Sequence, residues 1–155
     1  MKGWQVWRIP LGFGMLIFHE CQRSTACCRW PGEVRLTDAE ITRLAAFKGL
    51  SEFDFIQRFT GLSGTRQCLT LIDQPSGACV FLEGDDCSVQ PVKPQQCRDF
   101  PNLWNFPGFE KACRAVPQLV SADEYARLVE RATGRAAAHQ LNQVCPPIHY
   151  ENHHR

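Results

Sequence analysis

Apolar and polar positions alternate with two different periods along this chain, and the change from one to the other divides it. Over residues 37–48, Ile41, Leu44 and Ala45 recur at helical spacing. Thr37 stands before this stretch with Glu40 three residues on, the pattern of a reciprocal N-terminal cap, and Gly49 supplies a stop. A second, shorter helix is expected over 51–60, opened by Ser51 with Asp54 as its acidic partner. Phe55, Ile56 and Phe59 form its apolar side, and Gly61 ends it. The two make a helical hairpin.

From Gln67 the period shortens. Residues 67–72 and 78–82 are rich in Leu, Val, Phe and Thr and predict two strands. Asp73-Gln74-Pro75-Ser76-Gly77 between them is turn chemistry, so a β-hairpin is expected, with a second turn at Glu83-Gly84-Asp85-Asp86. Pro91, Pro94, Pro101 and Pro107 then break any long element, which predicts a wrapping loop with short helical turns over 88–110. A last amphipathic helix starts at Ser121, with Glu124 as its box partner, carries Tyr125, Leu128 and Val129, and stops at Gly134. Residues 1–17 form an irregular or strand-like lead-in, 18–134 one α+β domain, and 135–155 a flexible tail.

Size and composition are consistent with one small domain. The chain has 155 residues, enough for a core without staples. Its formal charge is +1, from 17 Lys and Arg against 16 Asp and Glu, which leaves no broad basic face for nucleic acid. No apolar run reaches the length of a membrane span. Lys2 and Arg8 precede an apolar stretch over 11–18, but glycines interrupt it and no small-residue cleavage site follows. It is read as a buried strand that delivers Cys21.

The cysteines change the picture most. There are nine, an odd number for a disulfide framework. Seven form two blocks: Cys21, Cys27 and Cys28, then Cys79, Cys87, Cys97 and Cys113. Thiolates are soft, anionic ligands, so clustered cysteines in a reducing compartment predict a metal or iron–sulfur centre. The adjacent Cys27 and Cys28 are expected to point to opposite sides of an extended segment. Arg29, Arg98 and Arg114 each follow a cysteine and are expected to offset the charge of the sulfurs. Cys68 is read as a buried strand residue and Cys145 as an incidental thiol. His19 and the later histidines are left out of the ligand set. The aromatic run from Phe100 to Phe106 is expected to seal the centre from water. No dinucleotide, phosphate-loop, nucleophile-elbow or zinc-protease motif is present.

In order, Phe18-x-x-Cys21, Cys27-Cys28, Gly77-Ala78-Cys79-Val80-Phe81-Leu82, Cys87-Ser88-Val89 and Lys93-Pro94-Gln95-Gln96-Cys97-Arg98-Asp99-Phe100-Pro101 resemble the YkgJ-type cysteine-cluster family. Its members are described as zinc- or iron-chelating domains and as iron–sulfur-cluster proteins. The resemblance implies that Cys21, Cys27, Cys28, Cys79, Cys87 and Cys97 belong to the chelating motif, with Lys93 where many members carry arginine. Cys113 joins them by its spacing and its neighbour Arg114. One departure is that a single cysteine, Cys21, precedes the vicinal pair.

The expected function is therefore a cytoplasmic metal-binding protein holding zinc or an iron–sulfur cluster in a structural or redox role. No nucleic-acid or membrane partner is expected, and a protein partner is left open. Two alternatives remain at this stage. Larger relatives are flagellin lysine methylases, which suggests an enzyme or enzyme subunit acting on protein, although no glycine loop for S-adenosylmethionine is seen. The other is a secreted disulfide-rich binding module.

Overall fold

The structure is a computed structural model, and it describes residues 15–135. Expectations for residues 1–14 and 136–155, the tail and Cys145 included, lie outside the described residues.

The three capped helices form where the local signals place them. Helix α2, Asp38–Lys48, has the full reciprocal cap between Thr37 and Glu40 and ends at Gly49 with φ +68°. That left-handed conformation is nearly free for glycine and strained for other residues, which makes Gly49 a stop. Helix α3, Glu52–Phe59, is capped by Ser51, whose hydroxyl accepts from the Asp54 N–H. Helix α6, Ala122–Thr133, starts at Ser121 in the same way and ends at Gly134, φ +74°. Two one-turn helices lie before and after the central pair: α1, Ala26–Arg29, and α4, Gln95–Asp99. A third, α5, spans Phe109–Ala112. A single 3-10 turn covers Gln90–Val92.

The strands depart further from expectation. Strand β1, Met15–Glu20, pairs antiparallel with β7, Val116–Ser121, so that Met15 lies opposite Ser121 and Glu20 opposite Val116. The lead-in is a strand, but only Phe18 of it is buried. It forms half of a two-stranded ribbon rather than a buried core strand, and helix α6 packs on it with Tyr125 edge-on to Phe18, centroids 6.5 Å apart.

A second sheet has the order β2, Arg35–Leu36; β4, Leu69–Leu71; β3, Thr60–Leu62. Gly61, expected to end a helix, lies inside β3, because α3 ends at Phe59 with Thr60 already extended. The expected hairpin reduces to its turn and one isolated bridge, Asp73 to Cys79. The turn is present, with the Gly77 N–H donating to Gln74 O at 2.8 Å. Beyond the bridge the Leu82 N–H donates back to Cys79 O at 3.0 Å, so the chain curls at 79–82 instead of extending. Leu82–Glu83 (β5) then pairs with Asp86–Cys87 (β6) across a two-residue loop opened by Gly84, φ +60°.

The main core lies between α2, α3 and the small sheet. Leu44 and Phe55 are fully buried, with Ile41, Ala45, Leu71, Phe81 and Val89 around them. Phe55, Phe59 and Phe81 meet with ring centroids 5.0 to 6.2 Å apart. A second, aromatic cluster gathers Phe100 and Phe109 with Trp104 and Phe106. The molecule is thus a small α+β domain with two larger apolar clusters and a third, small one of Cys28, Ala78 and Leu82. The thiols lie between the two larger ones, since Cys79, Cys87 and Cys97 pack on the first, and Cys27 and Cys113 on the second. Among the described residues no helix is long and apolar enough to cross a membrane.

Candidate metal centre

Three short pieces of backbone carry the inner thiols. The first is α1. Its single turn puts Cys27 and Cys28 about 100° apart around a helix axis, not on opposite sides of a strand. The expected divergence is therefore corrected. Cys28 lines the same two cavities as Cys27 and Cys87. The second piece is the curl at 79–82 with the β5–β6 loop, which presents Cys79 and Cys87. The third is α4, which presents Cys97. The Cys79 N–H donates to Cys28 O at 2.7 Å, which ties the first two pieces together.

Helix α4 is held from three sides. Glu40 of α2 accepts from the Gln95 N–H at 2.6 Å. Gln96 accepts from the Arg35 N–H at 3.1 Å and donates to Glu33 O at 2.9 Å. The Trp104 indole N–H donates to Gln96 O at 2.6 Å. None of these supports was identified in the sequence. The Thr37–Glu40 cap was, but its second use as an anchor for Gln95 carries no local signal.

Two small cavities of about 20 Å³ each meet at the thiols. Cys27, Cys28, Cys87 and Cys97 line both. Cys79 joins them on the inner side, while Cys21 and Cys113 line only the outer one. Cys68 lies apart, in the turn before β4 rather than within a strand, with its N–H on the Ser63 hydroxyl. His19 is likewise outside the thiol set: Asn102 pins its backbone through bonds of 2.8 and 2.9 Å, and its ring lies edge-on to Phe109.

The electrostatics favour ionisation of some thiols and oppose it at others. Cys27 and Cys87 are pulled down, to about 7 and about 6, chiefly by the hydrogen bond from Cys28. Cys28, which gives that bond, is pushed up, first by its bonding to Cys27 and Cys87. Burial raises Cys79 to about 11 and lifts Cys97 well above its usual value. Three loop thiols share one local device, a backbone N–H two residues on that donates to the sulfur. Phe81 serves Cys79, Val89 serves Cys87, and Arg23 serves Cys21 at 3.4 Å. Such bonds strengthen when sulfur becomes anionic.

The cation at the sulfurs is Lys93, whose charge lowers Cys27, Cys87 and Cys97. The three arginines make their hydrogen bonds elsewhere. Arg29 reaches Asp85 at 3.3 Å and Thr25 at 3.4 Å. Arg98 donates to the Lys93 and Pro91 carbonyls at 3.1 and 3.2 Å. Arg114 is exposed. Replacing Lys93 with alanine is expected to move thiolate formation to higher pH, because a nearby cation favours the charged form. The ultraviolet thiolate band, followed through a pH titration of metal-stripped protein, reads this. An unchanged curve would contradict the role given to Lys93.

The eight cysteines among the described residues are free thiols. Among the described residues, no group of three or more His, Cys, Asp or Glu is placed so that it could hold a metal ion as it stands. Thiols must lose their protons to become metal ligands, so any metal binding here would be pH-dependent. Five soft donors lining neighbouring cavities, with Lys93 beside them, are chemically suited to a thiophilic metal.

A partly buried thiol cluster with a lysine beside it is the donor set that a cysteine-rich chelating domain presents. A family model described as "Putative zinc- or iron-chelating domain", whose signature is CxxCxxCC, matches residues 20–146, and the chain belongs to that family. No curated protein and no solved structure gives a significant match.

Proposed function

We propose that this protein holds a single thiophilic ion, zinc, through thiolates drawn from Cys27, Cys28, Cys79, Cys87 and Cys97, and that the ion's role is structural. The observation that carries this is the space between the thiols. Cys27, Cys28, Cys87 and Cys97 line both small cavities there, and four thiols make one tetrahedral set. Zinc takes four such ligands and adds folding energy where a site is assembled from separate segments. The ion would join α1, the 79–87 curl and α4, with the proline-flanked turns at 91–94 wrapped beside it. Free thiols of this kind belong in a reducing compartment such as the cytoplasm.

A second reading, an iron–sulfur cluster in a redox role, draws support from the number of sulfurs. Five inner thiols, with Cys21 and Cys113 on the outer side, exceed one tetrahedral set. Protein purified without oxygen, with its visible spectrum recorded and zinc, iron and acid-labile sulfide measured, separates the two. Colourless protein with one zinc per chain is expected. A brown protein with iron and sulfide overturns the single-ion reading in favour of the cluster, and protein with neither metal overturns both.

A further inference from the structure

A larger cavity lies across the 23–26 segment from the thiols. It encloses about 610 Å³, within the range of small-molecule sites. It is lined by Arg23, Arg29 and Arg114, by one acidic residue, Asp85, and by the aromatic residues Trp30 and Phe106. With Arg23 paired to Asp86, the two remaining arginines outnumber the one carboxylate by one.

The three arginines are not equally committed. Arg23 is bound to Asp86 by three bonds of 2.6 to 3.0 Å. Arg29 makes only the two long bonds already described, so most of its five donors are unclaimed. Arg114 has its backbone N–H on the Ser24 hydroxyl at 3.1 Å, which fixes where its side chain begins. Among the described residues its guanidinium has no hydrogen bond or ion pair. Two guanidinium groups thus face one cleft with donors to spare, and only the fully exposed Asp85 opposes them.

The aromatic wall is rigid. Trp30 is buried and its ring lies so close to Gly32 that a Cβ there would come within 2.1 Å. Its other neighbour is Trp104, at 4.8 Å between centroids. Phe106 stacks on Phe100 at 5.5 Å with planes 13° apart.

Guanidinium forks match the oxygens of phosphate, and two arginines with free donors suit an anion of this kind. Bare phosphate would fill a small part of this volume. We infer that the cleft binds a small phosphate monoester with a planar ring, its phosphate on Arg29 and Arg114 and its ring against Trp30 and Phe106. The inference is independent of which metal the thiols hold.

Calorimetric titration of the metal-loaded protein with AMP, adenosine and inorganic phosphate tests it. AMP is expected to bind saturably and more tightly than either fragment, and to weaken with added salt. Arg114→Ala should weaken AMP binding roughly tenfold or more, the usual effect of losing a charge-assisted bond. Asp85→Asn should tighten it, an outcome that no folding defect produces. Equal binding of AMP and adenosine overturns the assignment, as does the absence of saturable binding. Metal content is measured on the same samples. If Arg114→Ala lost metal in step with AMP affinity, the arginine would belong to the thiol centre and the phosphate site would fall.

Discussion

Cys97→Ala is expected to release the bound metal and lower the melting temperature by about 10 °C or more. Cys97 lines both cavities, between the thiols of α1 and those of the 79–87 segment. The residue as a whole is half-buried, yet its sulfur faces inward, and burial with the charges of Cys27, Cys79 and Cys87 sets its behaviour. A ligand that joins distant segments converts metal affinity into folding energy. Loss of a few kcal/mol in a domain of this size moves Tm by about 3 °C per kcal/mol. Metal analysis and thermal unfolding check both parts. Cys68→Ala is the control, because Cys68 lines neither cavity; it should keep its metal. A Cys97→Ala protein with normal metal content and melting would refute the centre.

Glu40→Ala is expected to cost about 3–5 kcal/mol without removing a ligand. Glu40 is 6% exposed, and both its oxygens are used. One accepts from the Thr37 N–H at 2.8 Å and the Thr37 hydroxyl at 3.2 Å, the other from the Gln95 N–H at 2.6 Å. Truncation leaves two part-buried backbone donors unpaired and frees the start of α4. Glu40→Gln keeps one acceptor and should lose roughly half as much. Urea unfolding measures the loss, and metal analysis distinguishes it from the cysteine variant. Equal stability of Glu40→Ala and the parent protein would show that α4 is held by other contacts.

Glu40 also shows how far the sequence could be read. Its cap on α2 is a three-residue relation and was visible. Its bond to Gln95 crosses more than fifty residues and was not. The same division runs through the fold. The starts of α2, α3 and α6 follow from Thr37, Ser51 and Ser121, and two of the three glycine stops hold. Strands β2, β3 and β4 have two or three residues each, too few for a period, and their pairing depends on partners far along the chain.

For the site, cysteine spacing indicated the donors but not their grouping. The inner and outer division depends on how α1 and the 79–82 curl turn their side chains. The cysteine–arginine dipeptides drew attention to positive charge near sulfur, yet adjacency in sequence does not direct a long side chain inward. Lys93 lies four residues before Cys97 and lowers three thiols. The arginine-lined cleft had no sequence signal, because Arg29 and Arg114 come from opposite ends of the domain.

The β1–β7 ribbon has a consequence for the order of assembly. It joins positions about a hundred residues apart, a pairing whose closure entropy places it late in folding. All five inner cysteines precede residue 98, whereas Cys113 and β7 follow them. During synthesis the inner thiols therefore emerge while the ribbon is still a single strand. The nascent domain offers an open bowl that can be loaded before its last strand arrives. Metal supply at that moment, rather than affinity in the finished molecule, would then set how much of the protein matures.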